Sequence, residues 1–196
     1  MAASTISAMA FTLEDRDVRP LTADEVVQMV ELGILSEDEP VELLHGALTT
    51  MSAKTPAHEV VKMRLAEWLP SPADPRYMVR TEAPISVPDR TSLPEPDVAV
   101  VARGDYLARH PATALLVIEV AVSSLRVDTQ VKPALFAAAG VPDYWVVDIP
   151  GRCVRTFADP AGDTYTVTAT ARVGDQLAPR AVAVDPLDVG TLLAGL

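Results

Sequence analysis

Leu115-Leu116-Val117-Ile118-Glu119-Val120-Ala121-Val122 is apolar at every position but one. A β-branched run of this length, apolar on both faces, reads as a short strand in the centre of a sheet. Glu119 interrupts it. An ionised carboxylate buried there without partners would cost several kcal/mol, most of the stability margin of a small domain. Such a residue must face a cleft or be compensated by a metal, a cation or a proton, so it belongs either to a structural ion pair or to a site. Two further acids have similar surroundings: Asp97 in Pro96-Asp97-Val98-Ala99-Val100-Val101, and Glu42 in Val41-Glu42-Leu43-Leu44. Three carboxylates at strand-like, apolar positions look like a divalent-metal site.

Beyond this strand, Ser123-Ser124 can cap a helix carrying Leu135, Phe136 and alanines up to Gly140, a natural stop. Tyr144 to Asp148 reads as the next strand, ended by Pro150-Gly151, and Arg152–Ala158 with Tyr165–Thr170 as an antiparallel pair. A short helix of Leu192 and Leu193 follows Pro186. Before the central strand, Tyr77–Thr81, Ile85–Val87 and Val98–Val101 read as strands between proline-rich turns, with Pro70–Pro75 a loop. Thr55-Pro56 supplies an N-cap and a proline at the first helical position. The spacing behind it predicts a helix over about 57–69 that buries Val60, Val61, Leu65 and Trp68. His45-Gly46 between Val41–Leu44 and Ala47–Met51 is a hairpin signal. Thr22-Ala-Asp-Glu25 is a capping-box pattern opening a helix over about 22–32, with Gly33 as its stop. Residues 1–20 read as a loose, flexible leader and 21–196 as a single domain. The order of elements implies a mixed α/β (α+β) fold with a central sheet.

At 196 residues the chain is long enough to bury a core without disulfides or structural metal. One cysteine, Cys153, excludes an internal disulfide and a cysteine-based zinc site, and suits a reducing cytoplasm. Met1–Phe11 carries no Lys or Arg and lacks a signal-peptide n-region, and no segment approaches the ~20 apolar residues of a membrane helix. The expectation is a soluble, cytoplasmic protein with no membrane partner. Its net charge of −11 argues against tight, non-specific DNA binding, which draws on counterion release to a basic face. There is no Gly-rich phosphate loop and no internal repeat.

Several motifs recur together in order: Glu42-Leu-Leu-His-Gly46 with Leu48, His58 near a helix start, Pro96-Asp97-Val98-Ala99-Val100, Val117-Ile118-Glu119-Val120, Asp128 with Lys132, and Gly140-Val-Pro-Asp-Tyr-Trp-Val-Val-Asp148. In this combination the chain resembles the Uma-type family of putative restriction endonucleases, within the PD-(D/E)XK nuclease superfamily, over roughly residues 20–160. The resemblance implies a restriction-endonuclease-like central mixed sheet flanked by helices, and an endonuclease hydrolysing DNA with Mg²⁺, or Mn²⁺ in its place. It makes Asp97 and Glu119 metal ligands, with Glu42 a third acid from the hairpin. The position two after Glu119 is Ala121, so the superfamily's E-x-K lysine is absent. In the Uma-type family a lysine on the following helix stands in for it, and Lys132 is the match. Pro133 disfavours the α conformation at Lys132, so the helix is either kinked there or begins at Pro133. His45 stands where the family's acidic turn residue is expected, and Ser123-Ser124-Leu125 lacks the usual proline.

Plainer readings stand beside these. Asp128 and Lys132 have the spacing of a surface helix ion pair, and Asp97 could cap a turn. Glu42 could lie exposed on an edge hairpin. His58 reads as a solvated surface residue or a substrate contact, and Glu95 as a loop acid. Tyr144 and Trp145 read as core, and Asp148 as the start of the Pro150-Gly151 turn. The competing function is a non-catalytic binding or assembly domain on a degenerate nuclease fold; a third is a metal-dependent hydrolase of a smaller phosphoester. An enzyme cutting both strands would often be a homodimer.

Overall fold

The computed structural model describes residues 12–13, 16–71 and 74–196, so most of the expected leader, and the middle of the Pro70–Pro75 loop, lie outside the described residues. Two short strands, β1 (Thr12–Leu13) and β2 (Arg16–Asp17), pair ahead of helix α1 (Ala23–Glu31). The hairpin β3 (Val41–Leu44) and β4 (Ala47–Thr50) follows, then α2 (Pro56–Trp68), β5 (Tyr77–Thr81), β6 (Val98–Ala102) and β7 (Leu116–Ala121). Two short helices, α3 (Leu125–Gln130) and α4 (Lys132–Ala138), lead to β8 (Asp143–Asp148) and the long pair β9 (Cys153–Ala161) and β10 (Thr164–Arg172). The chain closes with β11 (Gln176–Leu177), β12 (Leu187–Asp188) and α5 (Val189–Leu192).

Local chemistry accounts for the boundaries. Thr22 and Glu25 form the reciprocal capping box: the Thr22 amide donates to Glu25 Oε2 at 2.9 Å and the Glu25 amide to Thr22 Oγ1 at 3.2 Å. His45 and Gly46 have φ of 49° and 81°, the two left-handed residues of a tight hairpin turn. Gly46 is also required by space, because a Cβ there would lie 2.2 Å from the Pro20 side chain. Thr55 caps α2 by accepting the His58 amide at 3.3 Å.

Six strands form the central mixed sheet in the order β10-β9-β8-β7-β6-β5; β7 and β8 are parallel and every other pair is antiparallel. Both faces are covered, which is why its inner strands show no polar alternation. On one face Val98, Val100, Leu116, Ile118 and Val120 pack under Val61 and Leu65 of α2 and Leu192 of α5. On the other, Ala99, Val101, Val117 and Ala121 pack against Leu135 and Phe136 of α4 and against Ile85 and Val87. Tyr144 and Trp145 are core, and Asp148 Oδ1 accepts the Gly151 amide at 2.8 Å to open the expected turn.

The structure departs from expectation at Ile85–Val87, in the buried face of α2 and after Ser124. Ile85–Val87 is not a strand: its amides bond outside any ladder, Ile85 to the Pro94 carbonyl and Ser86 to that of Pro111, while the side chains of Ile85 and Val87 are buried. Val60 is 39% exposed, since α2 turns Val61 and Leu65 inward instead. The helix expected after Ser124 is two helices, broken at Val131, because Pro133 has no amide to continue the ladder. Lys132 becomes the first residue of α4.

Candidate functional site

Glu119 lies in the middle of β7 and shares the face of Val117 and Ala121, beneath the break between α3 and α4. The β6–β7 ladder ends at Val98 opposite Ile118, so Asp97 comes next to Glu119. Beyond that point side chains replace the ladder: the Asp97 amide donates to Glu119 Oε2 at 3.2 Å, and the Val120 amide to Asp97 Oδ2 at 2.7 Å. The two acids are thereby clasped to each other's backbone.

Lys132 completes the cluster. Its ammonium lies 2.8 Å from Glu119 Oε1, 3.1 Å from Glu42 Oε2 and 3.6 Å from Asp128 Oδ1, and the residue is only 5% exposed. Asp128 and Lys132 are therefore a buried pair inside the cluster. Glu42, carried on β3, keeps its side chain only 8% exposed and also accepts the Glu95 amide at 3.3 Å. The hairpin is tied to the chain before β6 by a bridge between Leu43 and Leu93. The Asp128 carbonyl accepts the buried Tyr144 hydroxyl at 2.7 Å.

His58 approaches Asp97 from α2. Its Nε2 is 3.0 Å from Asp97 Oδ1 and its Nδ1 is 3.3 Å from Glu59 Oε1. It is buried rather than solvated, and its side chain reaches the wall of the cleft described below. A periodicity signal for it existed: His58, Val61 and Leu65 share one helical face. Asp128, Lys132, Leu135 and Phe136 have the same kind of spacing, and all are buried.

The charges do not balance. Four carboxylates (Glu42, Asp97, Glu119 and Asp128) face one ammonium and one imidazole. Burial pushes the Glu119 carboxyl well above the usual carboxylate range, Lys132 opposing and the neighbouring acids reinforcing it. Burial also raises Asp128. Desolvation alone would lower the Lys132 ammonium, but the carboxylates around it outweigh burial and raise it. Asp97 is depressed despite burial, because His58 favours its charged form; His58 is raised in turn by Asp97, again against its own desolvation.

These groups line a cleft of about 240 Å³ that also includes Lys54, Glu95 and Ser123. No three His, Cys, Asp or Glu side chains among the described residues form a ready ligand set; Asp97 is paired with His58 and Glu119 with Lys132. The donor set nevertheless suits a hard divalent cation: its available ligands are carboxylate oxygens, and the cluster carries surplus negative charge.

Among the described residues no helix is long and apolar enough to cross a membrane. The chain shares its fold with the crystal structure of a putative nuclease belonging to DUF820 from Anabaena variabilis. The TM-score is 0.72 at 16% identity, over 89% of this chain and 98% of that one. No curated protein matches the chain. Residues 23–188 match the Uma2 family, described as a putative restriction endonuclease, and with both the sheet and the acid cluster inside that span the chain belongs to this family.

Proposed function

We propose that this protein is a divalent-metal-dependent endonuclease that hydrolyses DNA phosphodiester bonds. The observation that carries this reading is the clasped pair Asp97 and Glu119, sharing a cleft with a buried lysine and a surplus of negative charge. Asp97 and Glu119 would hold Mg²⁺ or Mn²⁺, with Glu42 as the third acid. When bound, the metal supplies Lewis acidity and lowers the pKa of a water at the scissile phosphate. Lys132, held by Glu119, Glu42 and Asp128, presents a fixed positive charge for the charge developing on the phosphoryl oxygens. His58 orients Asp97 through Oδ1. A cytoplasmic enzyme of this kind, cutting both strands, would act as a homodimer.

The second reading is a non-catalytic domain, and one observation favours it: Lys132, His58 and three backbone amides already satisfy the carboxylates. Nicking of supercoiled plasmid with Mg²⁺ or Mn²⁺ separates the two. Wild type should nick, and Glu119→Gln or Asp97→Asn should not. Lys132→Ala should lose roughly 10²–10³-fold, the scale for removing one transition-state charge stabiliser. Wild type that cuts no DNA with either metal would exclude the enzyme.

A further inference from the structure

The cleft wall combines five acids (Glu42, Glu95, Asp97, Glu119 and Asp128) with two lysines and His58. A phosphodiester strand approaching it meets mostly negative charge. Lys132 is buried within the cluster, whereas the Lys54 side chain is 37% exposed at the cleft mouth, on the segment joining β4 to α2. We propose that Lys54 is the substrate-gripping residue of the cleft, contacting a backbone phosphate of the nucleic acid next to the bond to be cut. This rests on the nuclease reading and adds the way an acidic protein admits a polyanion.

The surroundings of Lys54 fit a cation that can change partners. Its ammonium meets Glu82 Oε1, and Lys62 meets the same oxygen. Lys62 also bonds Glu59 at 2.9 Å, and its side chain is only 12% exposed. Glu82 therefore keeps the largely covered Lys62 ammonium when Lys54 moves to a phosphate, so no unpaired carboxylate is left behind. Glu82 itself stands at φ 50° just after β5, a left-handed conformation unusual for a residue with a side chain. Its amide donates to the Asp97 carbonyl at 3.2 Å. That bond fixes the lysine clasp beside the strand end carrying Asp97. A contact of this type reads no bases; it sets register and adds salt-dependent affinity.

The test is fluorescence anisotropy of labelled duplex DNA with the full chain, in Ca²⁺ in place of Mg²⁺, across a range of salt concentrations. Wild type should bind. Lys54→Ala should weaken binding equally for unrelated sequences and flatten the log–log salt slope by about 0.9, the value for one phosphate contact. Lys54→Arg should restore the slope, since any exposed cation can serve, and melting curves should show both variants folded. Where plasmid is cleaved, Lys54→Ala should raise KM and leave kcat within about twofold. An unchanged slope in Lys54→Ala, a loss confined to kcat, or wild type that binds no DNA would each overturn the proposal. Wild type that binds with a Lys54-dependent slope but cuts nothing would defeat the nuclease reading and leave this contact standing.

Discussion

Lys132 shows how much one residue's setting changes its role. A surface Asp128–Lys132 pair would be worth at most about 1 kcal/mol. In the cluster the ammonium is the shared counterion of three carboxylates whose side chains are largely covered. Lys132→Met should therefore destabilise the fold by about 3–5 kcal/mol, because it leaves buried charge uncompensated. Urea denaturation checks this, and a change near zero would mean the acids are not charged together. Tyr144→Phe is a milder probe of the same region. The hydroxyl donates to the Asp128 carbonyl, and its loss should cost roughly 1 kcal/mol.

At the scale of elements, the site depends on where helices start and stop. Thr55 caps α2 and orders the turn that carries His58, so Thr55→Ala should cost about 1 kcal/mol by chemical denaturation. Cleavage by this variant should fall as well, because the imidazole bonded to Asp97 loses its fixed turn. The α3–α4 break has a comparable effect: it makes Lys132 the first residue of α4, above Glu119. The break is visible in the sequence as Pro133. Its consequence is not, because a kink has a direction only once both helices pack on the sheet.

Across the whole molecule, the surplus of buried negative charge should govern stability. Glu119 and Asp128 have folded pKa values above their ordinary 4.5 and 3.8, so their contribution is full below those values and lost as pH rises through the raised ones. His58, raised from 6.5, contributes fully below that pH and less above it. Asp97 runs the other way, contributing above its ordinary 3.8 and losing that only as pH falls through its depressed value. Lys132, raised from 10.5, is indifferent across the neutral range. The melting temperature should accordingly fall as pH rises from about 4.5 to above 6.5, because Glu119, Asp128 and His58 lose their contributions upward while Asp97 has already reached its own. Millimolar Mg²⁺ at the upper pH should recover part of the loss by binding the folded state. Scanning calorimetry at both pH values reads this directly; no rise with metal in wild type, or the same rise in Glu119→Gln, would count against metal binding at these acids.

The amino-acid order alone specifies the elements whose causes are local. The capping box of α1, the His45-Gly46 hairpin, the proline start of α2 and the apolar runs of β6, β7 and β8 all follow from short-range sterics, hydrogen bonding and burial. It also exposed Glu119, because a carboxylate inside such a run needs a partner wherever the strand goes. Tertiary structure decided the partners. Asp97 reaches Glu119 only through the register of β6 on β7, and His58 reaches Asp97 only through the seating of α2 on the sheet. Asp128 and Lys132 could be told from a surface pair only once α3 and α4 had closed over β7. Burial is a property of the assembled layers, and it turns an ordinary i, i+4 pair into half of a buried charge cluster.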